Sequence, residues 1–462
     1  MSIIKVYTLP HPPLAVPAVG RGKESKGIPD TLKALNAVAV EIAEIAPETI
    51  IYITPHGTLY SDYFHISPGN SAQGNLGRFG APEIEFNVAY DEELVDEIST
   101  IAERSGIPAG TQGERDESLD HGVTVPMWFI NNKYTDYKAI RISQSGLSSS
   151  EHYMLGQIIA MAVESTGRRT VVIASSDLSH KLQQDAPYGY APEGPEFDKL
   201  VTEALVKGDF LSLLKIPESL KERAGECGYN SLIMLAGIFD EYEVNTDLLS
   251  YEGPFGVGYA VASFSHGAKK GYRKILEQYI DYTIMELEAK RKAEDKYQEL
   301  ARRSLEHIIR TGNKLSDTNG IPDEMKAQKA GVFVSIHKSG KLRGCIGTIS
   351  PSTDCIENEI IQNAISAGLS DTRFNPVSAD ELPYLVYKVD VLSEAEPISG
   401  QEFLDVKRYG VIVTSGNKRG LLLPNLDGID SVEKQINIAK QKASIGPNEE
   451  IKLERFEVTR HE

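Results

Sequence analysis

The chain has 462 residues, with 66 acidic against 48 basic side chains and a net charge of −18. That length accommodates two or three domains with complete cores, and the acidic balance argues against a nucleic-acid-binding surface, which needs clustered Lys and Arg. Three cysteines build no disulfide framework, the N-terminus lacks the apolar core of a signal peptide, and no apolar run spans a membrane, so a reducing cytoplasm is the expected compartment.

In chain order, short Val- and Ile-rich runs at 4–9, 49–54, 138–143 and 170–176 read as buried strands. Between them, 31–45 and 91–106 repeat apolar residues at helical spacing, and the second stops at a glycine. This alternation predicts an α/β layered domain with a central sheet flanked by helices. The stretch 60–86, rich in Gly, Ser and aromatics, reads as a long pocket-covering loop, or equally as an exposed insertion or an oligomer contact, and specificity is expected in the loops 57–90 and 107–128. From about Gly271 the chain becomes highly charged and helical in period. Beyond it, "GVFVSIHKSGKLRGCIGTI", "YLVYKVDVLS" and "GVIVTSGNKRGLLLP" alternate and carry hairpin signals, predicting a second, α+β domain. The expected boundaries are 1–268, a helical connector at 269–292, and 293–462.

Three histidines directly follow strand runs: His11 in "LPHPP", His56 in "ITPHG" and His180 in "SSDLSH". A fourth, His121, lies in "LDHGV". A single turn histidine is most simply a satisfied ring. Three at successive strand ends share one rim if the strands are parallel, and the carboxyl ends of such strands form the ligand crevice. Imidazole is a common ligand of iron, zinc and copper, and two histidines with one carboxylate leave open positions on Fe(II). Glu226, in "GECG" before an apolar helix, is the candidate carboxylate or a helix-dipole complement. Its neighbour Cys227 is a soft ligand, a thiol or a small buried residue. His65 reads as structural and His152, at a helix start, as exposed. Asp177 reads as a turn cap, with orientation of a histidine as the alternative.

The set "LPHPP", "ITPHG", "LDHGVTVPM", "SSDLSH" and "GECGYNSLIMLAG" resembles the catalytic subunit of class III extradiol dioxygenases, the LigB-like superfamily, over roughly residues 1–265. Memo proteins are a second branch of that fold. The resemblance implies Fe(II), or zinc or another divalent metal, held by His11, His56 and Glu226. It implies that His121 contacts substrate and oxygen, and that His180 is the acid/base. The implied reaction is ring cleavage of a catechol-like aromatic by O2. A cysteine near the third-ligand position of Memo-like proteins makes Cys227 a competing ligand. The alternative function is then a metal-binding adaptor.

The second domain resembles the AMMECR1 family through "LRGCIGTI" (342–349), "SDTRFNPVSADELPYLVYKVDVLS" and "KRGLLLPNLDG". Arg343 as an anion binder and Cys345 as a nucleophile form its candidate site, against a buried turn cysteine beside a salt-bridged arginine. The two-domain order is similar to the AmmeMemoRadiSam group, which implies a radical SAM protein partner. The chain itself has no CxxxCxxC motif. A homo-oligomer is the default implied by the dioxygenases.

Overall fold

The computed structural model describes residues 2–20, 25–115, 118–426 and 428–462, so positions 116 and 117 of the expected 107–128 loop lie outside the described residues. The chain divides into two compact units, Met1–Tyr282 and Thr283–Glu462. The division falls inside a helix, Ile275–Ala293, and the preceding strand runs to Lys269.

In the first unit the strands Lys138–Ser143, Thr49–Thr54, Thr170–Ser175 and Ile3–Leu9 lie side by side in that order, all parallel. Tyr259–Lys269 and Tyr242–Glu252 extend the sheet antiparallel. Successive side chains of a strand point to opposite faces. Val6, Ile51, Ile53, Ile140, Ile142 and Val172 therefore enter one core, with helices Glu92–Arg104, Ser149–Thr166 and Tyr229–Ile238. Tyr7, Leu9, Ile50, Tyr52 and Ile173 enter another, with helices Pro29–Ile45 and His121–Asn131. Both faces are covered, which is why the strands read as unbroken apolar runs. Each fully buried Ile or Val contributes about 1.5–3 kcal/mol relative to exposure.

The stretch 60–86 is not one long loop. Ser71–Leu76 and Ala81–Ala89 pair as an antiparallel hairpin around the turn Gly77–Phe79, closed by Gly80 at φ +84°. Ala72, Leu76, Phe86 and Val88 join the core at alternate positions, and this half-buried face holds the hairpin down.

The second unit contains two antiparallel four-stranded sheets. One runs Lys341–Gly347, Val332–Lys338, Leu385–Leu392, Val458–His461. The other runs Glu396–Ile398, Lys452–Phe456, Gly410–Ser415, Lys418–Leu422. The expected "KSGK" hairpin forms with Ser339 and Gly340 both at positive φ, as a twist-matched two-residue turn requires. Helices Lys296–Thr311 and Ile356–Leu369 pack in the core of the first sheet, and Val432–Lys442 in that of the second. Among the described residues no helix is long and apolar enough to cross a membrane.

Candidate metal centre

The parallel strands place His11, His56 and the Asp177–His180 segment at one sheet edge, each within a few residues of its strand's carboxyl end. Their rings converge. His56 stacks on His121 with centroids 4.1 Å apart, and His11 meets His56 edge-on at 4.9 Å and His121 at 5.4 Å. His121 arrives from the other direction, as the first residue of helix His121–Asn131. Gly122 is needed behind it, because a Cβ there would lie 2.3 Å from Thr54 Oγ1.

His11 is 1 % exposed and its ring is locked. Its Nδ1 lies 2.8 Å from Ser175 Oγ, and that hydroxyl donates to the Gly122 carbonyl at 2.5 Å. With its proton committed to Gly122, Ser175 Oγ accepts from the His11 Nδ1–H. Nε2 therefore keeps its lone pair, the tautomer a metal ligand requires. His11 Nε2 sits 3.0 Å from His56 Nε2 and 3.6 Å from Cys227 Sγ. His11 N–H donates to Asp177 Oδ1 at 2.8 Å, and Asp177 Oδ2 lies 3.7 Å from His11 Nε2. Asp177 thus orients a histidine and is not the turn cap expected from sequence.

His11, His56 and Cys227 offer three donor atoms within 4.8 Å of one another. Ligand atoms about 2.0–2.3 Å from a shared ion lie roughly 3–3.6 Å apart, so the observed spacing suits a common cation. Glu226 of the expected ligand set is not among these three. Its carboxylate accepts from Tyr229 N at 2.6 Å and caps the helix Tyr229–Ile238. The cause is local packing. A Cβ on Gly228 would lie 2.2 Å from the Ser176 Cβ, so glycine lets this segment close on the strand end. Gln144 Nε2 holds the Cys227 carbonyl at 3.0 Å and Ser231 Oγ at 2.8 Å.

Burial sets the electrostatics. It lowers His11 strongly, and His56, His121 and His180 as well, with His121 reaching about 4, so all four rings are neutral near pH 7. Neighbouring histidines depress one another further, and Arg78 lowers His56 and His121. Burial pushes the Cys227 thiol up and raises Asp177 and Glu226 to about 7. Without a cation the site favours neutral forms. A bound cation reverses this for the thiol.

His180 lies against Tyr188, with centroids 5.2 Å apart, and its buried Nε2 has no hydrogen-bond partner among the described residues. The hairpin turn delivers Phe79 edge-on to His121 at 5.3 Å. Ser175, Arg78, Phe79 and Gln144 went unnamed in the sequence reading. The strand-end rule could have found Ser175, but the hairpin residues carry no local signal. His65 is structural, its Nε2 on the Glu114 carbonyl at 2.9 Å. His152 is buried, not exposed: its ring bridges the Ser148 carbonyl and Ser145 N–H at the cap of helix Ser149–Thr166.

In the second unit Arg343 has two nitrogens engaged by Glu381, while its buried Nη1 has no hydrogen-bond partner among the described residues. Its Nε and Nη2 donate to Glu381 at 3.0 and 2.9 Å. Cys345 Sγ accepts from Ser335 Oγ at 3.2 Å, and Cys345 N–H donates to Asp371 at 2.9 Å.

Comparison with known proteins accords with this architecture. Residues 5–262 match the model of the catalytic LigB subunit of aromatic ring-opening dioxygenase, and residues 298–461 match AMMECR1. Protein CA_C1420 of Clostridium acetobutylicum is 43% identical over 100% of this chain and 99% of its own length. A Thermotoga maritima protein is 45% identical over 36% of this chain and 98% of its own. Among solved structures, the uncharacterized protein PH0010 of Pyrococcus horikoshii is 31% identical, covering 36% of this chain and 88% of its own, with a TM-score of 0.34. The first unit belongs to the LigB family, whose members are typically metal-binding dioxygenases, and the chain is a LigB domain fused to an AMMECR1 domain.

Proposed function

We propose that the LigB unit is a metal-dependent oxidoreductase for a small hydroxylated aromatic, with His11, His56 and Cys227 as the protein ligands. The observation that carries this is the approach of His11 Nε2 to both His56 Nε2 and Cys227 Sγ, on a ring whose tautomer is set by Ser175. Two imidazoles and a thiol suit iron, zinc or copper better than calcium or magnesium. When bound, the metal supplies Lewis acidity toward a substrate hydroxyl and, if redox-active, electrons for O2. The chain's own residues do the rest. His180, neutral and with an unclaimed Nε2, takes the proton of the substrate hydroxyl and later returns it. His121 and Phe79 form an aromatic wall against which a planar ring packs. Asp177 and Ser175 hold His11 so that little freedom is lost on binding.

Cys227 in place of a carboxylate specifically favours a second reading, a Memo-like metal-binding module acting with a radical SAM partner. Retention of His180 and His121 favours chemistry. The experiment is elemental analysis of purified protein, followed by O2 uptake with a panel of catechols. His56→Ala and Cys227→Ser are expected to lose metal, while Glu226→Gln keeps it. Unchanged metal content in the first two overturns the ligand set. Full Fe(II) loading with no O2 uptake on any catechol removes the dioxygenase reading and leaves the module.

A further inference from the structure

Gln144 directly follows the strand Lys138–Ser143 and is 7 % exposed. Its backbone N–H donates to the Thr54 carbonyl at 3.1 Å, two residues before His56. Its side chain reaches a different element: Nε2 donates to the Cys227 carbonyl at 3.0 Å and to Ser231 Oγ at 2.8 Å. One residue thus ties the strand end that carries His56 to the segment that carries Cys227. A carbonyl only accepts, so the amide nitrogen and not its oxygen faces Cys227, and both of its N–H groups are used.

The Cys227–Gly228 peptide is held at both ends. Gly228 N–H donates to the Asp177 carbonyl at 3.1 Å, and Gln144 takes the Cys227 carbonyl. Gly228 is the N-cap of helix Tyr229–Ile238 and its carbonyl accepts from Leu232 N–H, so the Cys227 carbonyl lies one residue outside that helix. With Gln144 removed the peptide keeps a single tether and can turn about it, and a turn there changes the backbone angle that aims the Cys227 side chain. We infer that Gln144 is a positioning residue: it fixes this backbone so that Cys227 Sγ, rather than the Glu226 carboxylate, is presented beside His11 and His56. This rests on the reading of His11, His56 and Cys227 as the protein ligands. It adds the residue that sets their spacing in advance of an ion. Supports of this kind account for about 10- to 100-fold in metal affinity.

The test is Co(II) titration of the full-length protein, followed through the thiolate-to-cobalt charge-transfer absorption. Wild type should show that band, and Cys227→Ser should lose it. Gln144→Met keeps the side-chain length and removes both donors. It should bind Co(II) about 10- to 100-fold more weakly, with a band per bound ion that is weaker and shifted. A merely destabilised protein keeps the band of every ion it binds. Ser231→Ala removes the other acceptor of the same amide, and should keep the wild-type band with less than about a tenfold loss of affinity. Where urea unfolding shows Gln144→Met to be unfolded, Gln144→Asn takes its place: its amide falls about 1.5 Å short of the carbonyl and is expected to give the same result. Unchanged band and affinity in the Gln144 variant overturns the inference and leaves the ligand set standing. Loss of the band in Ser231→Ala to the same extent assigns the amide to packing and also overturns it. If wild type binds Co(II) without the band, the ligand set fails and the inference with it.

Discussion

The two units handle charge in opposite ways. In the AMMECR1 unit the notable ionisable groups are paired: Arg343 and Lys338 on Glu381, and Arg373 on Asp371. Despite some desolvation, hydrogen bonds from Arg343 and Lys338 hold Glu381 down at about 2, and Arg373 holds Asp371 well below the usual carboxylate range. In the LigB unit the clustered groups are desolvated without such partners. Burial lowers its histidines and raises Asp177, Glu226 and Cys227. Paired charges close a structure, whereas buried neutral donors aimed at one another leave a position for a cation or a proton. The arginine of "LRGCIG" is paired with Glu381, whereas the histidines of "LPHPP" and "ITPHG" sit together with Cys227 in a group that could hold an ion.

The largest expected effect breaks the neutral side of this comparison. His11→Ala should abolish metal binding, read as loss of stoichiometric metal by elemental analysis, while a Glu381→Gln control leaves it intact. The next is a pH slope. Because the histidines are already neutral and the Cys227 thiol is raised, binding a cation displaces about one thiol proton. Apparent affinity should then rise about tenfold per pH unit between roughly pH 6 and 8. Cys227→Ser should flatten that slope in a chelator competition titration. Ser175→Ala removes the acceptor that sets the His11 tautomer, and should weaken metal affinity about 10- to 100-fold with the fold retained, by the same titration.

Smaller effects sharpen the paired side. Glu381→Gln leaves Arg343 with a neutral partner and should cost about 1–3 kcal/mol in urea unfolding. The sign with pH follows from the depressed carboxyl. Its folded value of about 2 lies below an unfolded value of about 4.3. The advantage of wild type over Glu381→Gln is thus complete above pH 4.3 and disappears as pH falls toward 2. Smallest is Glu226→Gln. It weakens the cap on Tyr229 N–H by about 0.5–1 kcal/mol and keeps the metal, seen as a small shift in the urea midpoint.

Several features were legible from local pattern alone. The four strand runs, helices such as Pro29–Ile45 and Glu92–Arg104, and the strand-end positions of His11, His56 and His180 follow from apolar period and strand-end punctuation, which are properties of the chain within a few residues. Others were not. His152 starts a helix, and a helix start is commonly exposed. Here that start packs against Phe64, whose ring lies 4.7 Å away. The 60–86 stretch has loop composition, yet Ala72, Leu76 and Phe86 give it one apolar face. Asp177 has the spacing of a turn cap, but its carboxylate binds the backbone of a residue 166 positions away.

At "LPHPP" the sequence by itself determined that a strand stops and a histidine leaves it, because Pro10, Pro12 and Pro13 forbid continuation of helix or ladder. It also determined that an acid and a thiol adjoin in "GECG". Which of them meets His11 was decided only in the tertiary structure. Neighbouring side chains in a non-helical segment point different ways, and the close approach of Gly228 to Ser176 turns Cys227 toward the histidines and leaves Glu226 to cap a helix.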